Sequence, residues 1–521
     1  MWSSVLNVGG KLGVLAAGLA VGGSAGVMGA CEGAWRSGGA SPDAVDAGGV
    51  VIASPQGVSR PPFEFGPEDA GFLDEVQRAC VDYFWREADA RTGLIPDRTS
   101  DRRVVSVAGV GFQLAAYCIG AERGWLDRAA ARDRCELILT SLLGNPKNRK
   151  AGLFYHFIES ADAGMAGGMP EDVVSTVDSA LLFAGVMTAS ECFGGRVRTL
   201  GDELLGAADW RFFVSGDEAK PSERGFVSLG WKPTRVSDPT GDGALLPFYW
   251  VDSGDEHRLV AFLGVGASSG AGRLGPEMYY ALRRQLGHHA GAGEGDGGLM
   301  VFFPWSGAHF TNFFAHCWID YASMGPDEPS RFGAAHRARV DWWENSRRMT
   351  RMHRAKCIEN PKRFAGFGPD GWGLTASDIE NGYGVPGVFP KAVPMRGARA
   401  EFDFSSFTPK DDFGDGTLAP YGAGCSILFE PGLAMSAMRS YRGLTRRDGT
   451  PLAWRGVEGY GFVDGFHAGT GWSAPDTVAI DHGALVVSIE NARSGRVWRW
   501  FMGHPIAQRA SDALGWTPAA R

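Results

Sequence analysis

Three acidic residues beside large aromatic rings form the first candidate for a chemical site. Asp252, Asp255 and Glu256 follow the aromatic segment at 248–250 and begin an apolar segment. Burial against rings raises the pKa of a carboxyl group, which can then serve as a general acid near neutral pH. Helix capping is the simpler explanation, because acids stabilise the first turn of a helix. Capping accounts for one or two acids rather than three, so we interpret Glu256 as a general acid that packs against Trp250.

Two further acids are candidates for the second carboxylate that acid–base or nucleophilic catalysis needs. Asp178 follows Ser175 by three positions, a spacing typical of a helix start in which the acid faces the helix dipole. Asp378 lies in a polar segment at 372–384 that is rich in glycine and lacks periodicity, which predicts a loop. Loops with this mix of residues often bind ligands. We therefore predict Glu256, Asp178 and Asp378 as catalytic residues.

Aromatic and polar side chains near these acids are candidates to contact an uncharged, hydroxyl-rich ligand. Rings can stack on such a ligand, while carboxylates and histidine exchange hydrogen bonds with it. The predicted ligand contacts are Trp250, His316, Trp318, Trp372, Glu380, Tyr383, Phe462 and Asp464. A large aromatic core is the alternative explanation for most of the rings. The alternative for His316 is a buried pair with Asp320, four positions away on one helix face.

Composition and charge exclude several classes of function. The chain has 521 residues, of which 51 are Lys or Arg and 59 are Asp or Glu, so its net charge is −8. The absence of a basic stripe argues against nucleic acid, whose phosphates bind clustered cations. No phosphate-binding loop, nucleophile elbow or metalloprotease motif occurs, and no cysteine pair has zinc spacing. We expect no cofactor, no metal, and buried thiols at the cysteines that follow Cys31.

The first thirty residues are typical of an export signal. Residues 1–30 carry the single charge of Lys11 followed by a run of small and apolar residues. The run contains six glycines, so it is a poor permanent membrane helix. This apolar run ends just before Cys31, which predicts either lipidation of Cys31 or ordinary cleavage near Ala30. We expect an exported protein, either periplasmic or a lipoprotein of the outer membrane or cell surface. Residues 31–62 have the composition of a flexible linker.

Helical periodicity recurs through the rest of the chain and must position these side chains. The helical segments are 72–84, 106–119, 129–143, 175–193, 199–214, 256–266, 276–286, 311–323, 338–358, 431–441 and 479–491. Strand signals are few and lie chiefly at 386–404. No change of composition marks a boundary between residues 63 and 510. We therefore expect one all-α domain of helical hairpins, monomeric, in which the loops on one rim form a cleft.

Many short segments, read together, resemble the bacterial glycoamylase-like family. That family is related to the β-1,2-glucanases of glycoside hydrolase family 144 and to the transglycosylating domain of cyclic β-1,2-glucan synthases. The resemblance extends from about residue 72 to residue 510. The matching segments include Tyr83-Phe84-Trp85, Gly93-Leu94-Ile95-Pro96-Asp97-Arg98, Phe154-Tyr155-His156-Phe157, Ser175-Thr176-Val177-Asp178, Trp318-Ile319-Asp320, Glu344-Asn345-Ser346-Arg347-Arg348, Trp372-Gly373-Leu374-Thr375-Ala376-Ser377-Asp378, Gly461-Phe462-Val463-Asp464 and Ile489-Glu490-Asn491.

The resemblance implies an (α/α)6 toroid of helical hairpins and a carboxylate enzyme that acts on β-glucan outside the cytoplasm. Residues 63–521 would form the catalytic domain. The family's acid after Tyr-Asn falls on Glu256, with Asp255 in place of the usual Asn. Further departures are Phe314, Gly465, His467 and His482, at positions where the family commonly has other residues.

A glycoside hydrolase for β-glucan, with β-1,2-glucan or sophoro-oligosaccharides favoured, is the function that the resemblance implies. Cleavage of a glycosidic bond needs a protonated acid and a second carboxylate. We expect Asp178, Glu256, Asp378 and Asp464 to converge on one cleft. A non-catalytic glucan-binding lipoprotein and a β-glucan transglycosylase are the alternatives.

Overall fold

The computed structural model describes most of the chain beyond its first 43 residues. The described residues are 44–169, 172–216, 225–291, 298–396 and 411–516. Cys31 and the export signal expected over residues 1–30 lie outside the described residues, so both stay predictions. None of the helices within the described ranges combines the length and apolarity that crossing a bilayer requires.

Thirteen α-helices in the described residues carry the fold. They are α1 Pro67–Glu87, α2 Val107–Glu122, α3 Arg128–Gly144, α4 Thr176–Phe193, α5 Gly195–Gly206, α6 Asp255–Gly266, α7 Glu277–Ala281, α8 Trp342–Glu359, α9 Pro420–Cys425, α10 Pro431–Gly443, α11 Ala479–Ser494, α12 Arg496–Gly503 and α13 Pro505–Ala513. The fold is therefore predominantly helical, as the periodicity predicts.

Helices α2, α4, α6 and α11 form the centre of the molecule and are buried on every face. A helix that is apolar all round has to pack against neighbours on all sides. Helix α4 packs against α2 and α6, and α2 packs against α11. A Cβ on Gly111 of α2 would lie 2.2 Å from the carbonyl oxygen of Leu181 in α4. Glycine at this position thus lets the two backbones touch.

Eighteen short strands in the described residues join the helices, so the fold is consistent with the all-α expectation but is not purely helical. They are β1 Val45–Asp46, β2 Val51–Ile52, β3 Val104–Ser106, β4 Arg149–Lys150, β5 Leu153–Phe154, β6 Phe157–Glu159, β7 Val174–Ser175, β8 Gly230–Pro233, β9 Gly243–Leu245, β10 Gln285–His289, β11 Leu299–Phe303, β12 Arg339–Val340, β13 Ser377–Ile379, β14 Gly382–Gly384, β15 Lys391–Ala392, β16 Met395–Arg396, β17 Phe466–His467 and β18 Trp472–Ser473.

The strands pair in small sheets that hold the loops before the central helices. Strand β3, which leads into α2, pairs antiparallel with β6. Strand β7, which leads into α4, pairs antiparallel with β8. Strands β13 and β14 form the hairpin that carries Asp378, whose Cα pairs with that of Tyr383. The loops that precede the helix starts are therefore fixed by backbone hydrogen bonds.

Three of the expected helices are interrupted. The segment expected at 199–214 is α-helical only as far as Gly206, and a 3₁₀ turn follows at Trp210–Phe213. The segment expected as a helix at 276–286 is helical only over Glu277–Ala281, and β10 follows it. The segment expected at 311–323 consists of 3₁₀ turns at His309–Asn312, Ala315–Cys317 and Tyr321–Ser323. The backbone N–H groups of Ala315 and His316 donate to Asp255 Oδ2, at 2.5 and 3.2 Å. The Asp255 carboxylate of α6 thus accepts hydrogen bonds from N–H groups that would bind backbone carbonyls if this segment were an α-helix.

Residues 44–62, expected in a flexible linker, lie against the helical body. Strand β1 pairs with β16 and β2 pairs with β12, both in parallel. The Arg60 guanidinium pairs with Asp341, lies 4.6 Å from the ring centroid of Trp343 and donates to the carbonyl oxygens of Ala322 and Met324. These contacts order a segment whose composition alone predicts no structure.

The seven cysteines within the described residues are free and buried. This confirms the expectation of buried thiols. They contribute apolar packing in the core.

Candidate active site

Glu256 is a buried carboxyl group at the start of α6. It is the second residue of the helix, and its side chain is nearly inaccessible, with 3% of the residue exposed. Its Oε1 atom has no hydrogen-bond partner within the described residues. Burial, followed by the charges of Asp178 and Asp255, raises the pKa of Glu256 well above its usual value. Both causes favour the protonated carboxyl group, which is the form that can give a proton away.

Asp178 is the neighbouring carboxylate, in the first turn of α4. The Ser175 hydroxyl caps this helix by accepting from the Asp178 N–H at 3.2 Å, and its oxygen lies 2.5 Å from Asp178 Oδ2. The Nε2 atom of His156 lies 3.6 Å from Asp178 Oδ1. The Trp250 indole N–H donates to Thr176 Oγ1 at 2.8 Å, which ties the aromatic segment before α6 to the start of α4.

Asp252 and Asp255, the other acids near Glu256, are both engaged in ion pairs. Asp252 Oδ1 lies 2.6 Å from His257 Nδ1, and Asp255 pairs with Arg258 and lies 2.9 Å from His316 Nδ1. Burial raises the pKa of each acid, but the basic partners and the N–H donors outweigh burial and hold each pKa below its usual value. Two acids of the segment thus fix the helix start, and Glu256 is the acid of the segment whose pKa is raised.

Asp378 belongs to a second cluster of carboxylates, on β13. The Arg98 guanidinium donates to both of its oxygens, at 3.0 and 3.2 Å. The backbone N–H of Asp378 donates to Asp464 Oδ2 at 2.7 Å. Burial and the charge of Asp464 raise the pKa of Asp378 to about 7, although Arg98 opposes the shift. This carboxyl group changes charge near neutral pH.

Asp481, in the first turn of α11, completes the second cluster and was missed in the sequence. Its carboxyl group lies in hydrogen-bond contact with that of Asp464, and both residues are 2% exposed. Sequence reasoning assigns an acid at this point of a helix to capping. Nothing in the spacing of positions 464 and 481 indicates the contact. His156 and Arg98 were also missed as partners, although both lie in segments that carry the family resemblance.

Three of the expected ligand contacts lie in the core, which corrects their assignment. His316, Trp318 and Trp372 have no exposed surface. Trp318 packs against Phe112 and Phe501, and His316 is paired with Asp255 rather than with Asp320. A ring without accessible surface cannot stack on a ligand, so the alternative of an aromatic core is correct for these tryptophans.

The other expected ligand contacts remain near the two clusters. Glu380 is exposed at the turn of the β13–β14 hairpin, and Tyr383 is half-buried on β14. Trp250 and Phe462 are nearly buried, with 7% and 3% of each residue exposed. Asp464 connects to Asp378 through the hydrogen bond described above. Tyr383 and Glu380 therefore offer more surface for a ligand contact than Trp250, Phe462 and Asp464 do.

The four carboxylates that were expected to converge form two pairs, Asp178 with Glu256 and Asp378 with Asp464. The chain around the start of α2 contacts Asp378 directly and contacts the backbone of His156, whose side chain lies beside Asp178. Arg98 binds Asp378, and the Val107 N–H donates to the carbonyl oxygen of His156 at 3.0 Å. The first pair thus lies at the starts of α4 and α6, and the second lies on strand β13 and in the loop before β17. In the described residues no group of three or more His, Cys, Asp or Glu side chains has the arrangement of a metal site.

Comparison with known proteins gives relatives along most of the chain. The chain is 26% identical over 475 residues to the exo β-1,2-glucooligosaccharide sophorohydrolase (non-reducing end) of Parabacteroides distasonis, which covers 86% of this chain and 58% of that protein. The chain thus spans little more than half the length of that relative.

Two solved structures share the fold. An endo-β-1,2-glucanase from Chitinophaga pinensis superposes with a TM-score of 0.68 at 22% identity, covering 86% of this chain and 98% of that one. A β-1,2-glucanase from Parabacteroides distasonis gives a TM-score of 0.67 at 23% identity, covering 87% of this chain and 60% of that one. The family model named Glycoamylase matches residues 248–505, which include Glu256, Asp378 and Asp464. Residues 248–505 of the chain thus match the glycoamylase-like family.

Proposed function

We propose that this protein is a glycoside hydrolase that cleaves β-1,2-glucan or sophoro-oligosaccharides within an (α/α)6 toroid. One observation carries the proposal: Glu256 keeps an unpartnered, buried carboxyl oxygen beside the carboxylate of Asp178. A neutral acid next to a second carboxylate is the arrangement that glycosidic cleavage uses. The names of the relatives, which act on β-1,2-linked glucose, support this linkage.

Glu256 is the general acid in this proposal. Its carboxyl group gives its proton to the glycosidic oxygen while the bond from that oxygen to the sugar's anomeric carbon breaks, and Glu256 becomes a carboxylate. The charges of Asp178 and Asp255 favour the protonated form before the step. The ion pairs of Asp252 and Asp255 hold the start of α6 in place meanwhile.

Asp178 and Asp378 are the candidates for the second carboxylate. Either attacks the anomeric carbon directly or takes a proton from the attacking water. Arg98 favours the charged form of Asp378, which a base or nucleophile must have. Tyr383, Phe462 and Trp250 are proposed walls for sugar rings, and Glu380 and Asp464 are proposed partners for sugar hydroxyl groups.

The proposal includes export of the protein. The apolar segment before Cys31 supports either a lipid anchor on that residue or release after cleavage near Ala30, and we propose a monomer. A Cys31→Ala variant separates the two routes. If the anchor is correct, the variant moves from the detergent phase to the aqueous phase when the signal is cleaved.

The test of function is turnover of defined glucans by the mature protein. Linear β-1,2-, β-1,3- and β-1,4-glucans are incubated with the wild type and with Glu256→Gln, and the products are sized. We expect cleavage of the β-1,2-linked chain by the wild type and none by the variant. Products longer than the substrate would instead indicate transglycosylation. Binding without turnover would overturn the proposal in favour of a glucan-binding protein.

Glu277→Gln is the matched control for that experiment. Glu277 is an acid in the first turn of α7, as Glu256 is in the first turn of α6, but it is exposed. We expect this variant to retain the activity of the wild type. Equal losses in both variants would show that the helix starts, rather than the proton on Glu256, are needed.

A further inference from the structure

We infer that Asp481 is a positioning residue, held as a neutral acid that donates a hydrogen bond to Asp464 and thereby fixes the backbone of Asp378. The inference rests on the proposed function only for its effect on turnover. The shared proton itself is a property of the fold, and it can be tested without a substrate.

The geometry of the two carboxyl groups requires a proton between them. Asp464 and Asp481 are in hydrogen-bond contact and nearly inaccessible. Asp464 Oδ1 and Asp481 Oδ2 are buried and receive no hydrogen bond from a donor in the described part of the chain. Two ionised carboxylates in contact repel each other, and burial increases this repulsion. One proton on the pair converts the repulsion into a hydrogen bond.

The other contacts of the pair place the charge on Asp464. Asp464 Oδ2 accepts the Asp378 N–H at 2.7 Å, and the Arg98 charge acts on the same carboxylate. The Tyr421 hydroxyl lowers the pKa of Asp481, but burial and Asp464 have larger effects in the opposite direction, and that hydroxyl donates its hydrogen to the carbonyl oxygen of Ala376 at 2.7 Å. A carboxylate with a fixed N–H donor and a nearby cation keeps its charge more easily than one without them. The proton therefore stays on Asp481.

The resulting hydrogen bonds form a chain from α11 to the loop before α2. Asp481 donates to Asp464, Asp464 accepts from the backbone of Asp378, and the Asp378 carboxylate is held by Arg98. Loss of the first link leaves Asp464 free to turn away from Asp378. The carboxyl group of Asp378 then loses its fixed position relative to a substrate.

Several titratable or charged groups surround the pair on the elements packed against it. They are Asp378, Tyr383, Tyr421, Cys425, His482, Asp97, Arg98, Asp476 and Arg455. Burial is the largest cause that raises the pKa of Asp481, and the charge of Asp464 follows. A group whose pKa is raised by folding stabilises the folded state at low pH and loses this contribution as the pH rises.

The test is the thermal midpoint of Asp481→Asn across pH, measured on the mature protein without substrate. Asparagine keeps a donor for Asp464 but cannot ionise. We expect the midpoint of Asp481→Asn, relative to the wild type, to rise by about 2 °C or more between about pH 5 and about pH 8. A difference that is constant with pH would overturn the inference. Asp133→Asn, an exposed acid on α3, is the matched control and should give a constant difference.

Asp464→Asn gives a second measurement if Asp481→Asn does not fold. Removal of the Asp464 charge weakens the hold of Asp481 on its proton. The midpoint of this variant, relative to the wild type, should therefore also change with pH, and a constant difference would again overturn the inference.

Turnover provides the readout for positioning. Asp481→Leu, which has no donor, should lower kcat by about tenfold or more, equivalent to about 1.4 kcal/mol. Asp481→Asn should restore kcat to within about threefold of the wild type. Equal kcat in the Leu and Asn variants would overturn the positioning role. Absence of turnover in the wild type would end the proposed function but would leave the thermal test intact.

Discussion

The charge of Asp178 acts on Glu256 across the contact between α4 and α6, and adds to burial in raising the pKa of Glu256. Each residue lies in the first turn of its helix, where N–H groups point outward and favour negative charge. The backbone N–H of Asp178 at the start of α4 donates to the Ser175 hydroxyl, which caps this helix. Burial and the neighbouring acids favour the protonated form of Glu256.

Glu256→Gln should abolish turnover and leave oligosaccharide binding nearly intact. Glutamine has the size and hydrogen-bonding reach of glutamic acid but no proton to give, and general acid catalysis is worth roughly 10²–10⁴-fold. Steady-state kinetics gives the loss of kcat, and calorimetric titration with sophoro-oligosaccharides gives the affinity. Wild-type activity in this variant would remove Glu256 from the mechanism.

Asp178→Asn should move the alkaline limb of the pH–rate profile to lower pH. The Asp178 carboxylate favours the protonated form of Glu256, so its removal lowers the pKa of Glu256 and the acid is lost earlier as pH rises. The measurement is kcat/KM across pH, which reports the free enzyme. An unshifted limb contradicts this electrostatic coupling. Complete loss of turnover would instead identify Asp178 as the second carboxylate.

Arg98→Met should move the acidic limb of the same profile to higher pH if Asp378 is the base. The Asp378 carboxylate is the active form, and its pKa of about 7 sets the pH below which activity falls. Arg98 favours the charged form, so its removal raises this pKa further. Arg102→Met, a neighbouring exposed arginine, is the control. If the acidic limb lies at the same pH in Arg98→Met and in Arg102→Met, Asp378 is excluded as the base.

The helix starts were predictable from the sequence, whereas the contacts between them were not. An acid three residues after Ser175, and acids at the start of an apolar segment, indicate α4 and α6 directly. The Asp464–Asp481 contact joins a loop to a helix start, and local periodicity carries no information on such a contact. The segment at 311–323 has helical spacing, but Asp255 binds its N–H groups and the segment forms 3₁₀ turns instead.

Aromatic residues illustrate a second limit of sequence reasoning. A tryptophan in a glycine-rich loop has the same sequence signature whether its ring faces a cleft or the core. Trp372 follows Gly371, its backbone N–H donates to the Tyr441 hydroxyl at 2.8 Å, and its ring is fully buried. Tyr383, in the same loop segment, keeps exposed surface because it lies on the hairpin strand β14.

Trp372→Ala should therefore lower stability rather than ligand affinity. Replacement of a fully buried tryptophan by alanine costs about 3–5 kcal/mol because it leaves a cavity. Tyr383→Ala should have the opposite profile, with weaker sugar binding and a small change in unfolding free energy. Urea unfolding and ligand titration of both variants give the comparison. Equal unfolding free energies for Trp372→Ala and the wild type would contradict the buried position.

The buried histidines should make the protein sensitive to acid. Burial lowers the pKa of His309 to about 3, and burial together with the charge of His309 lowers the pKa of His353 well below its usual value. The unfolded chain takes up a proton at each histidine below about pH 6.5. Because the unfolded state binds more protons in this range, the free energy of unfolding falls as the pH drops from about 6.5 toward about 3.

A His309→Gln variant tests this origin of the acid sensitivity. Glutamine can hydrogen-bond to Ser426, which lies 2.8 Å from His309 Nε2, but it does not titrate. We expect the variant to lose stability less steeply than the wild type as the pH falls from about 6.5, because one of the two proton-binding steps is gone. Its stability near neutral pH is set by how well the amide fills the site. Thermal midpoints measured at intervals between about pH 7 and about pH 4 give the two slopes. Parallel slopes would show that His309 is protonated in the folded state and that other groups cause the loss of stability.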